Sequence, residues 1–168
     1  MIISKSKLLL EKTIPIEKNF VFDTQTFPVK KPLLAIKKCF GNIEITKYRK
    51  VIRMNIDLDV VVSLECSYTL EPFNHELKIH EEVIISDSFD PDAESIVIEG
   101  DLINLEQILY AVISASLPLK PVKPGAKLPK SGEGYRVLND EQLAKDRSIS
   151  GDSRFAKLDD FDFEDNDL

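Results

Sequence analysis

The 168-residue chain is 43% hydrophobic and 30% charged, with 22 basic and 29 acidic residues and a net charge of -7. That balance is globular and excludes a collagen, a coiled coil or a wholly disordered chain. No apolar run approaches the ~20 residues that cross a bilayer, Leu8, Leu9 and Leu10 are too short a block for a signal peptide, and the separated Cys39 and Cys66 build no disulfide framework, so a cytoplasmic chain without membrane association is expected.

Taken in chain order, the first signal is a pair of apolar stretches, 33–40 and 43–48, flanking Gly41-Asn42. Both residues tolerate positive φ, which predicts a tight turn and a hairpin here. Over residues 51–66, Ile52, Met54, Ile56, Leu58, Val60, Val62, Leu64 and Cys66 fall on every second position. Period two predicts a strand with one buried and one wet face, as in an antiparallel sheet. At ~3.3 Å per residue it is longer than most strands, and it is expected to bend or carry a bulge.

Alternation resumes with Phe73, Leu77, Ile79, Val83 and Ile85, so the two stretches predict one long hairpin. An Asp90-Pro91-Asp92 turn then precedes a short strand at 94–99. Next, Asn104 followed by Gln107 resembles a capping box, and apolar residues recur at helical spacing until Pro118 prevents continuation. From Leu117 onward Pro118, Pro121, Pro124 and Pro129 interleave with Lys120, Lys123, Lys127 and Lys130, which predicts an extended surface segment. The expected fold is α+β: an antiparallel β-meander of four to five strands including the long hairpin, covered by one main helix. Residues 1–138 form a single domain in this reading, and 139–168 hold a short helix and an acidic tail too poor in aliphatics to fold alone.

At the start of the second long strand the sequence reads Cys66-Ser67-Tyr68-Thr69-Leu70-Glu71-Pro72-Phe73. It resembles the C-x-[RS]-x-L-E-P-F core of the bacterial YceD family, the large ribosomal RNA subunit accumulation proteins. The features that follow keep that family's order: the Asp101 to Glu106 helix entry, Leu117-Pro118-Leu119-Lys120-Pro121, a Ser131-Gly132 turn, and Asp152-Ser153-Arg154-Phe155. The likeness spans about residues 30 to 160. It implies a non-enzymatic role in large-subunit biogenesis. Many relatives resemble C-x-x-C at the hairpin tip and carry further cysteines after L-P-L-K-P, whereas this chain has Thr69 and no cysteine from 122 to 130, so zinc binding is not implied here.

The residues themselves point away from catalysis. His75 and His80 differ by five and face opposite ways on a regular strand, so with Cys39 and Cys66 they make a poor zinc site. Cys66 continues the apolar row, Pro72 suits a turn or a strand entry, and Phe73 suits a core anchor, with a recognition tip as the competing reading of Glu71-Pro72-Phe73. No phosphate loop, serine elbow or helical H-E-x-x-H is present, and no cofactor is expected.

Charge carries the partner expectation. Residues 1–53 hold 12 basic and 4 acidic residues, 54–117 hold 1 and 14, 118–138 hold 5 and 1, and 139–168 hold 4 and 10. An acidic molecule of this layout presents a basic face if its two basic blocks converge. The expected contacts with large-subunit ribosomal RNA are Lys120, Lys123, Lys127, Lys130 and Arg136, with Tyr135 to stack on a base, and Lys30, Lys31, Lys37, Lys38, Lys47, Arg49, Lys50 and Arg53. The rival expectation is an adaptor whose acidic middle and tail, with Phe161 and Phe163, shield a basic ribosomal protein.

Overall fold

Strand β4 (Val51–Glu65) is central. It pairs antiparallel with β3 (Leu33–Lys47) on one side and β5 (Pro72–Ser86) on the other. β2 (Thr13–Asn19) adds to β3, and β6 (Ile96–Val97) adds to β5, giving the order β2-β3-β4-β5-β6. The computed structural model describes residues 1–88 and 95–150, so the turn read at Asp90-Pro91-Asp92, Arg154 and the tail at 159–168 lie outside the described residues. The chain divides into two compact units, Met1–Pro124 and Gly125–Leu168.

The alternation in β4 does what period two requires. Ile52, Met54, Ile56, Leu58, Val60, Val62 and Leu64 are buried while Arg53, Asn55, Asp57 and Asp59 are exposed. β5 answers with Phe73, Ile79, Val83 and Ile85, and β3 with Leu33, Cys39, Ile43 and Ile45. The expected α+β meander with one long hairpin is present, antiparallel except for β6, which runs parallel to the end of β5. Residues 87–95 separate those two strands, a connection longer than a hairpin turn, and only Ile85 and Ser86 are paired.

Two expectations are corrected. Gly41-Asn42 is not a turn, because β3 runs through it without a break. Gly41 is instead a site of close approach: a Cβ there would stand 2.9 Å from the Leu58 side chain and 2.9 Å from the Phe20 ring. The turn lies at 48–50, where the Tyr48 N–H donates to the Val51 carbonyl at 2.8 Å. The bulge expected in β4 also belongs elsewhere. β4 and β5 pair without a slip from Val51↔Ser86 to Glu65↔Pro72, whereas the β3–β4 ladder shifts register twice, leaving Leu34 and Lys37 as extra residues in β3.

Helix α1 (Leu105–Ala115) begins as its sequence predicts, with the Asn104 side-chain oxygen accepting from the Gln107 N–H at 3.4 Å. Leu105, Ile108, Leu109 and Ile113 are buried, and Pro118 follows the end. Tyr110 leaves the helix on another side, packs beside Phe22 and Phe27, and donates its hydroxyl to the Pro28 carbonyl at 2.7 Å. Those contacts hold the segment that leads to Lys30 and Lys31. β1 (Ile2–Ser4) pairs antiparallel with β7 (Leu102–Asn104) in a separate small sheet, which brings the N-terminus to the start of α1. In the second unit, α2 (Asp140–Ser150) opens on a reciprocal box: the Gln142 N–H reaches Asn139 Oδ1 at 2.6 Å and the Asn139 N–H reaches Gln142 Oε1 at 3.0 Å.

Replacing Gly41 with Val should cost about 1–3 kcal/mol, because the buried Phe20 and Leu58 side chains would have to move. Thermal unfolding followed by circular dichroism checks it; an unchanged midpoint would show that Phe20 does not pack there.

Candidate functional site

The β4–β5 connection is a six-residue loop, 66–71, closed by two backbone bonds: the Cys66 N–H to the Glu71 carbonyl and the Leu70 N–H to the Cys66 carbonyl, each 2.9 Å. β5 then starts at Pro72, and Phe73 enters the core. Pro72 as strand entry and Phe73 as anchor therefore stand as read. A second segment, more than fifty residues away in sequence, is fastened to this loop. The Ser67 N–H donates to the Pro121 carbonyl at 2.8 Å, the Lys123 N–H donates to Cys66 Sγ at 3.4 Å, and Lys123 Nζ pairs with Glu71 at 3.1 Å. The tip also joins the chain entering β3, since the Glu65 N–H donates to the Pro32 carbonyl and Lys31 Nζ lies 2.8 Å from the Glu65 carboxylate.

The sulfur of Cys66 is the hub of this junction. It is buried and accepts N–H groups from both Tyr68 and Lys123 at 3.4 Å, with Thr69 adding its hydroxyl and its N–H. Burial pushes the thiol up, but the donors from Lys123, Thr69 and Tyr68 pull it down by more, from 9.0 to about 7. Cys39 has no such donors, and burial alone raises it to about 11.

Beside the junction lies a cleft of about 490 Å³ lined by Lys30, Lys31, Tyr110, Ser114, Leu117 and Leu119, among others. Two leucines here face solvent. Leu119 is 97% exposed, and Leu70 is 70% exposed with φ at +59°, a left-handed conformation that a leucine rarely adopts. Neither was legible as exposed in the sequence. The one available signal was the setting of Leu119 between Pro118 and Pro121, which keeps it out of a ladder.

The basic candidates take several places. Lys120 and Lys123 stand at the junction. Lys37, a bulge residue, and Lys38, which pairs with Val61 of β4, are exposed in the same half of β3 as Leu33. Arg49 and Lys50 are exposed at the β3–β4 turn, roughly 40 Å along the strand from Lys37 at ~3.3 Å per residue. Lys127, Lys130, Tyr135 and Arg136 belong to the second unit and are exposed there; Tyr135 lies over Gly132, and Arg136 pairs with Asp146 at 3.6 Å. Of the family-motif residues, Cys66, Leu70, Glu71, Pro72 and Phe73 form the loop and strand entry. His75 pairs with Val62 and His80 with Asp57, on opposite faces of β5 as their spacing predicts. Among the described residues no three His, Cys, Asp or Glu stand together as a metal site, and no helix is long and apolar enough to cross a membrane.

The family model described as large ribosomal RNA subunit accumulation protein YceD matches residues 54–162, more than half of the chain, and the chain belongs to that family. The matched span begins within β4 and takes in β5, the tip, α1 and the proline-lysine segment. Comparison with curated proteins and with solved structures yields no match.

The Cys66 environment predicts a pH dependence. Its folded pKa lies below the unfolded value, so the unfolded chain binds more protons between about pH 7 and 9, and this group's stabilisation grows as pH rises through that window and is lost below it. Urea midpoints of the reduced protein should rise across that range, and Cys66→Ser should flatten the rise. An equally steep rise in the variant would show that the donors around this thiol do not set its titration. Cys39, raised by burial, opposes this only above about pH 9.

Proposed function

We propose that this member of the YceD family supports accumulation of large-subunit ribosomal RNA as a non-enzymatic, cytoplasmic factor in bacteria that binds pre-ribosomal RNA through the tip end of its sheet. The observation that carries this reading is the fastening of the 66–71 loop to the Pro121–Lys123 segment, with the chain entering β3 joined to the same end. Lys30, Lys31, Lys120 and Lys123 thereby share one end of the fold, with Lys37 and Lys38 on the adjoining half of β3.

Each part has a chemical task. Lysines neutralise phosphates without reading sequence, so they supply affinity and a steep salt dependence. The Lys37 bulge puts two adjacent side chains, Lys37 and Lys38, into solvent, where a regular strand would alternate them across the sheet. Exposed Leu70 and Leu119 offer apolar surface against which an unstacked base or a sugar lies. Glu65 and Glu71 hold Lys31 and Lys123 in place by exposed ion pairs worth little in stability, which RNA phosphates displace at small cost. In the second unit, Lys127, Lys130, Arg136 and the stacking surface of Tyr135 are proposed as RNA contacts of that unit by itself. Arg49 and Lys50, at the far turn, lie outside the main footprint.

Binding of a large-subunit RNA fragment should weaken by about tenfold or more when Lys30, Lys31, Lys120 and Lys123 are all changed to Glu, and the log–log salt slope should fall by ~0.7 to 0.9 for each phosphate no longer neutralised. Arg49→Glu with Lys50→Glu should matter far less. Fluorescence anisotropy against salt measures both, with melting curves confirming folded variants. Wild-type protein that fails to bind at low salt, or a quadruple variant that binds as tightly, ends the proposal.

A further inference from the structure

Apart from the outer side of the two-residue edge strand β6, the sheet has three stretches that no neighbouring strand pairs among the described residues, and two of them are blunted. β2 is an edge strand that carries Pro15, and the 33–38 part of β3 beyond the reach of β2 is bulged at Leu34 and Lys37. Proline and bulges are devices that stop an open edge from pairing with another chain. β5 lacks both. It matches β4 residue for residue without a slip, carries no proline after Pro72, and on its other side meets β6 only at Ile85 and Ser86. Residues 72–84 therefore leave an unpaired edge of roughly 40 Å at ~3.3 Å per residue.

The charge along this edge has a sign. On its solvent face β5 shows Glu76 and Glu82, and the register sets Asp57 and Asp59 of β4 on the same face, directly across from His80 and Lys78. Three cations stand among them: His80 Nδ1 bonds Asp57, which raises the imidazole pKa, Arg53 sits 3.3 Å from Glu82, and Lys78 is exposed between Glu76 and Glu82, which leaves the carboxylates in excess. On the opposite face Glu81 is exposed between Ile79 and Val83.

From this we infer that the open edge of β5 is a docking site for an extended, lysine- or arginine-rich polypeptide segment of a protein partner, which adds to the sheet as a further strand. Main-chain hydrogen bonds supply the pairing, and basic side chains facing Glu76, Glu81 and Glu82 select the partner. A second copy of the chain is the poorer occupant, because its own edge carries Glu76, Glu81 and Glu82 against the single lysine Lys78, so two such edges meet with the same net sign. Nucleic acid is repelled by the same carboxylates. The site uses different residues from the lysine-rich tip, so it stands or falls independently of RNA binding there.

A labelled twelve-residue peptide alternating Lys and Thr serves as the probe, with a Glu–Thr peptide as control and the full chain as target. The Lys–Thr peptide is expected to bind with an affinity that falls with salt, to slow amide exchange across 73–84, and to bind about tenfold more weakly to Glu76→Lys with Glu82→Lys or, less severely, to Glu76→Gln with Glu82→Gln. RNA binding should not weaken in either variant, which separates failure here from failure of the tip. Binding without slowed exchange in β5, equal binding of the Glu–Thr peptide, or slowed exchange there caused by RNA or by self-association of the chain would each overturn the proposal.

Discussion

The structure depends on a single register. β4 is held on both sides by long antiparallel ladders, and seven of its side chains, from Ile52 to Leu64, point into the core at every second position. Each buried aliphatic contributes ~1.5–3 kcal/mol before chain entropy offsets most of it. A slip by one residue would exchange that row for Arg53, Asn55, Asp57 and Asp59, so no alternative pairing competes. The same alternation keeps charge on one face of β4, because the residues excluded from the core by parity include Arg53, Asp57 and Asp59.

That register also fixes what happens at the ends. With β4 and β5 matched to the last pair, the six residues between them must close tightly, and the loop does so around a buried sulfur. Donors to Cys66 come from both the loop and Lys123, so one acceptor ties together stretches far apart in the chain. Cys66 therefore acts here as a positioning group whose lowered pKa reflects the donors around it. The family likeness reads the loop and the L-P-L-K-P stretch as separate motifs, and the fold makes them neighbours.

Two surfaces follow, of opposite sign and different geometry. The tip end gathers lysines and exposed leucines around irregular backbone, suited to a flexible polyanion. The β5 side offers straight backbone and carboxylates, suited to an extended cationic chain. The two surfaces use different residues, so the two proposed partners, RNA at the tip and a basic segment along β5, are separable by mutation.

Where one physical rule decides the outcome, the sequence was readable. The alternation of 51–66, the Asn104 cap, the Pro118 stop and the Phe73 anchor are each local, set by backbone period or by a side chain within a few residues. Gly41 was misread because glycine in a strand and glycine in a turn look alike until the ring that fills its space is known, and Phe20 lies twenty residues away. The bulges escaped for a similar reason: an extra residue in β3 exists only relative to β4. By itself the sequence determined the sheet, the helix and the family, since burying an alternating row or an amphipathic face is specified along the chain. Which lysines share an end of the sheet, and which strand edge is left unpaired among the described residues, was decided only by tertiary pairing, because both depend on distances between residues that the chain order does not encode.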